Sequence, residues 1–325
     1  MPKSIGRDIK IGVGKETIRG TATPSAYWIP RMSFDFDDKR IVIQDQQGYG
    51  VIEDAVAGRV VSKWAEGSLG GIVRAKAIGL FLLNALGQVN TSADDPEAGV
   101  NTHTFTVLSS HQHPALTINV DDPNEGDVAY PLGMLNSLEL VAEVNEYVKF
   151  TADFMAKTGE SATVTAVYVS EANFASHDVT VKFADVTAEL DTASAVSVKS
   201  ASILIEKEVE KDDVLGNVNP EDFLNKIIRV AVTITKAYEN TTYKALFQSG
   251  TAQALRVSMS DTATVIGAAT SPQLYFDLNQ VQIVEWVVDK GLDAMMIETI
   301  TLKAQFKIAD SKMLEAVLVN TASGY

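Results

Sequence analysis

The stretch GRVVSKWAEGSLGGIVRAKAIGLFLLNALG, residues 58–87, decides the fold because its hydrophobic period changes halfway along. Its first half, around Trp64, is Gly- and Ser-rich and predicts an extended strand. Its second half predicts a short amphipathic helix, because apolar residues recur every four positions at Ile78, Leu82 and Leu86. Gly87 follows where a helix C-cap glycine belongs. We therefore predict one strand that leads into one helix, and the helix closes one end of a β-rich core.

The composition narrows the class of protein. The chain has 325 residues, is 46% hydrophobic, carries a formal net charge of −15 and has no cysteine. Such an acidic chain repels nucleic acid and anionic membranes. The absence of cysteine excludes disulfides, thiolate catalysis and cysteine-ligated zinc. Residues 1–12 lack the apolar run typical of a signal peptide, and the most apolar run, residues 77–83, is too short to span a bilayer. We expect a soluble protein made in a reducing cytoplasm.

Alternating apolar and polar residues predict antiparallel strands through most of the chain. The clearest hairpin covers residues 138–156, with a turn at Asn145 and Glu146 and one buried and one wet face. Further strands are expected near 162–170, 178–184 and 196–206, with a charged, solvated connection at 206–222. A second block, from residue 226 on, repeats the plan of a strand, a short helix at 243–247 and a closing antiparallel pair ending near residue 308.

The fold-class prediction follows from these elements. We expect a mainly β protein, a β-sandwich or barrel with a short flanking helix, built from two similar modules in tandem. The first module is predicted to span residues 1–158, and the second, a divergent repeat of the first, residues 159–325. The strand before the helix starts at Val61 in the first module and at Ile227 in the second, whereas the closing strands are separated by a smaller offset. A longer set of loops at 88–130 accounts for the difference.

Motifs that would indicate catalysis or ligand binding are incomplete. Gly12-Val-Gly-Lys15 lacks the upstream glycine and the following Ser or Thr of a phosphate-binding loop. Ser68 lies in Glu66-Gly-Ser-Leu-Gly70, where a nucleophile elbow requires glycine in place of Glu66. The acidic turn 121–127 has Pro123 where a calcium loop requires an oxygen ligand. These patterns predict neither an enzyme nor a cofactor.

Three of the four histidines, His103, His111 and His113, are close in sequence. They would form a metal site only if two strands paired in one particular register. A metal-dependent hydrolase is therefore one alternative function, and metal content would test it. A second alternative is a non-catalytic β-sandwich binding or adhesion module, although no aromatic platform is evident among the 7% aromatic residues.

Several motifs, in this order, resemble phage tail tube proteins, the major tail proteins of long-tailed phages. They are IGxGKExxxGTAxxxxxWIP at 11–30, the stretch 58–87, HTF at 103–105, YPLGMLNSLELVAEVNEYVKFTADFMAK at 130–157, ALRVSMSD at 254–261, TITLKAQFKIADSK at 299–312 and LVN at 318–320. The resemblance implies stacked homo-oligomeric rings around a lumen through which the genome passes. It also implies a virion tail location after assembly in the bacterial cytoplasm. The implied partners are the tape measure protein, the tail terminator and tail-tip or baseplate proteins.

Stacked rings require arms that bridge them, and two polar excursions are candidates. The first is 44–50 and the second 88–101. Their candidate arm residues are Asp45, Gln46, Gln47, Tyr49, Asp94, Asp95 and Glu97.

A conduit for DNA should not bind its cargo, so an acidic lumen wall is expected. The candidate lumen-facing residues are Glu139, Glu143, Asp153 and Glu298. DNA would pass without specific binding, and no membrane insertion is expected. The number of subunits per ring stays open. A hexamer follows from one tube module per chain, and a trimer with pseudo-six-fold symmetry follows from two. The sequence also leaves open whether the tail contracts.

Overall fold

The computed structural model describes residues 5–47, 49–54 and 57–325. Strands account for 53% of the chain and helices for 8%, which confirms the mainly β prediction. The strands of the first half are β1 Lys10–Lys15, β2 Tyr27–Ile29, β3 Arg31–Asp45, β4 Ala57–Ile72, β5 Gly87–Ser92, β6 Asn101–Val107, β7 Leu116–Asp121, β8 Val128–Glu143, β9 Lys149–Ala156 and β10 Glu160–Ser161. Those of the second half are β11 Val179–Ala184, β12 Ala195–Val196, β13 Ser200–Asp212, β14 Asp222–Ala237, β15 Gln253–Ser260, β16 Gln273–Asp289, β17 Ile297–Ala304 and β18 Leu314–Asn320. The helices are α1 Ile78–Leu86 and α2 Thr242–Ser249, with short 3₁₀ turns at Gly6–Asp8, Ser176–Asp178 and Thr187–Glu189.

Eight long strands form one antiparallel sheet in the order β3-β4-β9-β8-β13-β14-β17-β16. We call it the central sheet. Along these strands, buried apolar side chains alternate with half-buried or exposed polar ones, as the period of two requires. Leu140, Ile203, Val232 and Leu302 are among the buried members and are at most 1% exposed. One face of the central sheet therefore forms the wall of the hydrophobic core.

The remaining strands join the first half of β8 or of β16, either directly or through a neighbouring strand. Strands β2, β1, β7 and β10 join β8, and β12, β11, β15, β18, β6 and β5 join β16. Strands β8 and β16 therefore each belong both to the central sheet and to one of these additional groups of strands. Each has one unmatched residue, Asn136 in β8 and Val284 in β16, beside its pairing with β9 or β17. Such a bulge bends a strand, so it suits a strand that changes partners. The architecture is consistent with a β-sandwich.

The predicted helix α1 is buried along its whole length. It ends at Gly87, which has a φ of 92° and donates its N–H to the Leu83 carbonyl. A side chain at Gly87 would also collide with the His113 ring, since a Cβ there would lie 2.7 Å from it. The second helix α2, also predicted, ends in the same way at Gly250, with a φ of 66°. The helix predictions are therefore confirmed, and both ends depend on a left-handed glycine.

Two sequence-based predictions of local structure are wrong. Residues 162–170 form no strand; only Glu160–Ser161 pair, with β8. The alternating apolar residues there have no neighbouring strand edge to bond. The charged segment 206–222 is not a solvated connection, because β13 continues to Asp212 and pairs with β14 from Asp222 onward. Glu206, Glu208 and Glu210 point outward, whereas Lys207 is fully buried, and the backbone stays in the ladder.

The same order of strand pairing occurs twice along the chain. The hairpin β3–β4 pairs through β4 with β9, which pairs with β8; likewise, β13–β14 pairs through β14 with β17, which pairs with β16. The pair Asp153–Ser137 in β9 and β8 corresponds to the pair Thr301–Glu285 in β17 and β16. In the hairpins, the pair Ser68–Asp35 corresponds to the pair Thr233–Ser202. The bulges also fall at corresponding positions.

Candidate functional site

The central sheet ends in two strand edges that have no partner among the residues the structure describes. Strand β3 pairs only with β4, and residues 282–289 of β16 pair only with β17. Each edge presents a row of backbone N–H and C=O groups. Exposed edges of this length are templates for adding another strand. The chain is thus built to extend its sheet at both ends.

The second face of the central sheet is polar, and we call it the open face. Its acidic side chains outnumber its basic ones and are Asp35, Asp37, Glu66, Glu139, Glu143, Asp153, Glu206 and Glu285, against Lys39, Lys149, Arg229 and Lys303. Hydroxyl groups fill the rows between them, at Ser68, Ser137, Thr151, Ser200, Ser202, Thr233, Thr235, Thr299 and Thr301. None of these side chains is buried. The face is a wide, hydrophilic surface with an excess of negative charge.

The structure brings three of the four predicted lumen residues together on this face. Glu139 and Glu143 lie on β8, opposite Leu204 and Ser200 of β13. Asp153 lies on the adjacent strand β9 and accepts a hydrogen bond of 2.6 Å from the Ser137 hydroxyl. Their shared face is a structural fact, and their position around a lumen stays a prediction.

Glu298 is not on the open face, and its prediction as a solvent-facing residue is wrong. Its side chain is fully buried on the core side of β17. The carboxylate pairs with Lys236 Nζ at 3.4 Å and accepts a hydrogen bond of 2.9 Å from the Trp286 indole. A buried carboxylate needs such partners because isolated burial of a charge is costly. Burial, with the charges of Glu298 and Glu239, raises the pKa of nearby Tyr243 to about 12.

The first predicted arm is the outer end of the β3–β4 hairpin. Its strands stay paired as far as Asp45 opposite Ala57, and Gly48, Ala55 and Val56 lie outside the described residues. Within the turn, the Tyr49 hydroxyl donates a 3.2 Å hydrogen bond to Asp45, while Gln46 and Gln47 are exposed. The hairpin also exposes large apolar side chains that the sequence analysis did not single out, namely Ile41, Val42, Ile43, Val51 and Ile52. Clustered exposed apolar side chains are typical of a contact surface and not of a solvated loop, so this hairpin has the character of a contact surface.

The second predicted arm, 88–101, is held against its own chain. It forms the hairpin β5–β6, and Glu97 accepts hydrogen bonds from the backbone N–H groups of Ala269 and Thr270, at 3.0 and 2.8 Å. These bonds lower the pKa of Glu97. Asp94 and Asp95 lie in its turn, where Asp94 accepts a bond from the Gly99 N–H at 2.8 Å. These contacts favour a local structural role over a reaching arm.

The outer end of the β13–β14 hairpin, which sequence reasoning missed, folds over the first half of the chain. The Val218 carbonyl accepts a hydrogen bond of 2.7 Å from the Lys63 N–H. Arg19 pairs with Asp222 at 2.6 Å, and Phe223 is buried beside Met134. Phe223, an aromatic residue just beyond a charged run, is the sequence signal that would have revealed this contact.

The three clustered histidines each have separate hydrogen-bond partners. His103 contacts Thr91 and Asn320, His111 contacts the Asn225 carbonyl, and His113 contacts the Leu108 carbonyl. Among residues 5–47, 49–54 and 57–325, no group of three or more His, Cys, Asp or Glu side chains could hold a metal ion. No helix in the same residues has the length and hydropathy needed to cross a membrane.

His113 provides a test by pH. Burial, with the neighbouring Lys207 amine, lowers the pKa of His113 from 6.5 to about 4. The unfolded chain therefore binds more protons than the folded chain between these values, so stability is full above pH 6.5 and falls as the pH drops toward 4. We expect a loss of about 3 kcal/mol over this range, measured by urea unfolding at each pH. His113→Gln should flatten that slope, whereas the exposed His177→Gln should leave it unchanged. Equal slopes in all three proteins would contradict the assignment.

The fold and surfaces together define a structural subunit: a β-sandwich with two free sheet edges, a hydrophilic acidic face and a projecting apolar hairpin. The family model for phage tail tube proteins matches residues 6–285, so the chain belongs to that family. Among curated proteins, no match to the chain was found. Family membership gives the chain a structural role in the phage tail tube, as a component of the virion tail that self-assembles and joins other tail components.

Proposed function

We propose that three copies of this chain close into a ring, and that rings stack into a non-enzymatic tube for genome ejection. The observation that carries this proposal is the pairing of β8 with β13. The central sheet consists of two four-stranded units, β3-β4-β9-β8 and β13-β14-β17-β16. The pairing of β8 with β13 joins the last strand of the first unit to the first strand of the second. Strand β16 corresponds to β8, and β3 corresponds to β13, so the two free edges match the two sides of a contact that the chain already makes internally.

Repetition of that contact between copies would continue the central sheet from one subunit to the next. Each chain contributes eight strands in two similar units. Three chains then supply six units, which is the pseudo-six-fold arrangement expected from a tandem repeat. Under this proposal, residues 1–158 and 159–325 are two tube modules. A hexameric ring with one tube module per chain would leave the second four-stranded unit of each chain without a role in forming the ring.

The open face is proposed to line the lumen. Glu139, Glu143 and Asp153 would then repeat around the wall, with hydroxyl groups between them. DNA carries about one negative charge per 1.7 Å of its axis. An acidic wall repels that charge at distances within a Debye length of about 10 Å. DNA would therefore pass without specific binding. The proposed partners are the tape measure protein, the tail terminator and the tail-tip or baseplate proteins, with assembly in the host cytoplasm.

The internal contact predicts the register of the contact between subunits. Within the chain, Ser137 faces Glu206 and Leu138 faces Ile205. In the alignment of the two units, Ser137 corresponds to Glu285 and Glu206 corresponds to Lys39. The same pairing between subunits would therefore place Glu285 of one subunit opposite Lys39 of the next. Opposite charges directly across a ladder are favourable. The acidic and basic side chains at these two positions are consistent with such a pair.

Engineered disulfides test this register, since the chain has no cysteine. Glu285→Cys with Lys39→Cys should give covalent dimers and trimers, and nothing larger, on non-reducing gels after mild oxidation. Facing strand positions have Cα separations that a disulfide can span. The control places the second cysteine at Arg40, whose side chain points to the opposite side of the sheet, and should give little cross-linking. A ladder of products up to six would favour the hexamer, and no product at either position would contradict the edge contact.

A further inference from the structure

A cavity of about 640 Å³ opens beside β14, and the sequence analysis did not predict it. Its walls come from residues 106–113, 225–228 and 311–314, together with Phe306. Ile227 and Phe306 expose 44% and 61% of their surface there. Large apolar side chains left open at a concave site mark a place where another surface packs.

A buried polar side chain within this cavity lacks a partner. Asn225 is only 4% exposed, yet neither its side-chain oxygen nor its side-chain nitrogen has a hydrogen-bond partner in the described structure. Only its backbone is satisfied, through a 2.9 Å bond from its N–H to the His111 carbonyl and a bond from the His111 ring. A buried carboxamide left unpaired is costly.

The corresponding place in the first half of the chain is occupied. There the tip of the β13–β14 hairpin contacts Lys63 through the Val218 carbonyl and Thr158 through Asn219, at 2.7 and 3.4 Å.

In the second unit, the residues that correspond to Lys63 and Thr158 both line the cavity. Lys63 precedes Ser68 on β4 by as many positions as Ile228 precedes Thr233 on β14. Likewise, Thr158 follows Asp153 by as many positions as Phe306 follows Thr301. Both Ile228 and Phe306 line the cavity. The cavity therefore corresponds to a site that, in the first half, a hairpin tip already covers.

The hairpin that corresponds to β13–β14 is β3–β4. Both hairpins show a register irregularity within one position of each other, after Ile41 in β3 and after Lys207 in β13, which corresponds to Arg40. In its own subunit, β3 lies at one edge of the central sheet and β16 at the other. The proposed ring places β3 of the next subunit beside β16, so the hairpin available to fill the cavity belongs to a second copy of the chain.

We infer that the β3–β4 hairpin tip of the neighbouring subunit in the same ring, residues 49–54, docks in the cavity lined by Asn225, Ile228 and Phe306. This inference rests on the proposed three-subunit ring. It assigns the predicted arm a lateral contact within a ring in place of a bridge between rings.

The chemistry of the two surfaces is complementary. The tip offers Val51 and Ile52, which are 61% and 102% exposed, to the apolar wall of the cavity. It also carries Glu53 and Asp54, and residues 44–54 contain no basic residue. The cavity has Lys226 and Lys312 among its lining residues. Within the chain, Lys226 already pairs with Glu210 and Lys312 with Glu315, so the complementarity rests on the apolar side chains of the tip and of the cavity wall.

The test is again a disulfide between subunits of the full-length chain. Three double variants combine Phe306→Cys with Tyr49→Cys, Val51→Cys or Ile52→Cys, all at exposed positions, so the subunit should fold normally. After oxidation of assembled protein, at least one pair should convert more than half of the chains into covalent species that stop at the trimer. The matched control joins Ile52→Cys to Leu292→Cys, a residue that is 98% exposed at the β16–β17 turn, and should give less than a tenth of that yield.

The outcomes separate this inference from the ring proposal. Trimer-limited products from a Phe306 pair support it. Products that continue beyond the trimer would overturn it, because they would link one ring to the next. Efficient cross-linking of Glu285→Cys with Lys39→Cys, but of none of the three Phe306 pairs, would also overturn it while the ring proposal stands. Failure of both sets would remove the ring proposal itself.

Discussion

Chains that lack residues 45–49 are expected to fold normally and to stay monomeric at concentrations at which the native chain forms tubes. The β3–β4 hairpin tip contributes nothing to the core of its own subunit, since Val51, Ile52 and Tyr49 are largely exposed. Each such side chain gains about 1.5–3 kcal/mol when it is buried against a partner. The deletion removes Tyr49 and shortens the hairpin, so Val51 and Ile52 no longer reach their docking positions. It should therefore raise the concentration needed for assembly by a hundredfold or more. Negative-stain electron microscopy and sedimentation velocity over a concentration series measure this.

A pair of point variants controls for a general change of the surface. Ile52→Asp should weaken assembly strongly, whereas Leu215→Asp should have little effect, although the two residues are equally exposed at the tips of corresponding hairpins. The melting temperature of each variant should match that of the native subunit within about 2 °C, since surface changes typically alter stability by less than about 0.5 kcal/mol. Normal tubes from the 45–49 deletion would refute the role of the hairpin as an arm.

Replacement of Asn84 by alanine is expected to destabilise the subunit by about 3–5 kcal/mol. Asn84 lies on α1 and is fully buried. Its amide nitrogen donates to the Gly133 and Pro114 carbonyls at 2.9 and 3.1 Å, and its side-chain oxygen accepts the Leu135 N–H at 2.8 Å. The alanine variant would leave two buried backbone groups, the Gly133 carbonyl and the Leu135 N–H, and the part-buried Pro114 carbonyl without this partner, at about 1–3 kcal/mol for each buried group. Urea unfolding, followed by far-ultraviolet circular dichroism, gives the loss directly.

Asn90→Ala provides the matched control, because Asn90 is exposed on β5, a short distance beyond Asn84 in the sequence. Its unfolding free energy should change by less than about 0.5 kcal/mol. A similarly small effect of Asn84→Ala would show that α1 is not fixed to β8 by this side chain, contrary to the contacts described above.

Local features of the fold were predictable because they depend on nearby residues. The period of four and the C-cap glycine predicted α1, and strict alternation predicted the β8–β9 hairpin, although its turn is longer than the predicted one. Alternation alone would also have placed Glu298 correctly, since it shares the parity of Ile300 and Leu302. The error arose because a carboxylate was assumed to face water, while Lys236 and the Trp286 indole satisfy it inside.

Features that depend on distant residues were less accessible. The pairing of β8 with β13 joins segments that are far apart in the sequence, and no local pattern sets its register. Residues 162–170 alternate like a strand but find no partner, which illustrates that strand formation depends on context. The apolar residues 41–43 were visible in the sequence, but only the structure showed that they are exposed, because they pair with the part of β4 that lies beyond its ladder with β9. The cavity around Asn225 is formed from three separate segments together with Phe306 and has no signature in any of them.

The internal pairing of β8 with β13 also has a kinetic consequence for assembly. In a three-subunit ring, every second seam between tube units is already formed within one chain, and its two sides never have to meet by diffusion. The translational entropy lost on association is therefore incurred in two association events and not in five, because the last seam of a ring closes within one complex. If the ring is the nucleus of the tube, its formation should vary with about the third power of chain concentration, where six separate units would give about the sixth. Dilution would then suppress stray nuclei less steeply, which leaves a greater role for an initiating complex in deciding where tubes begin.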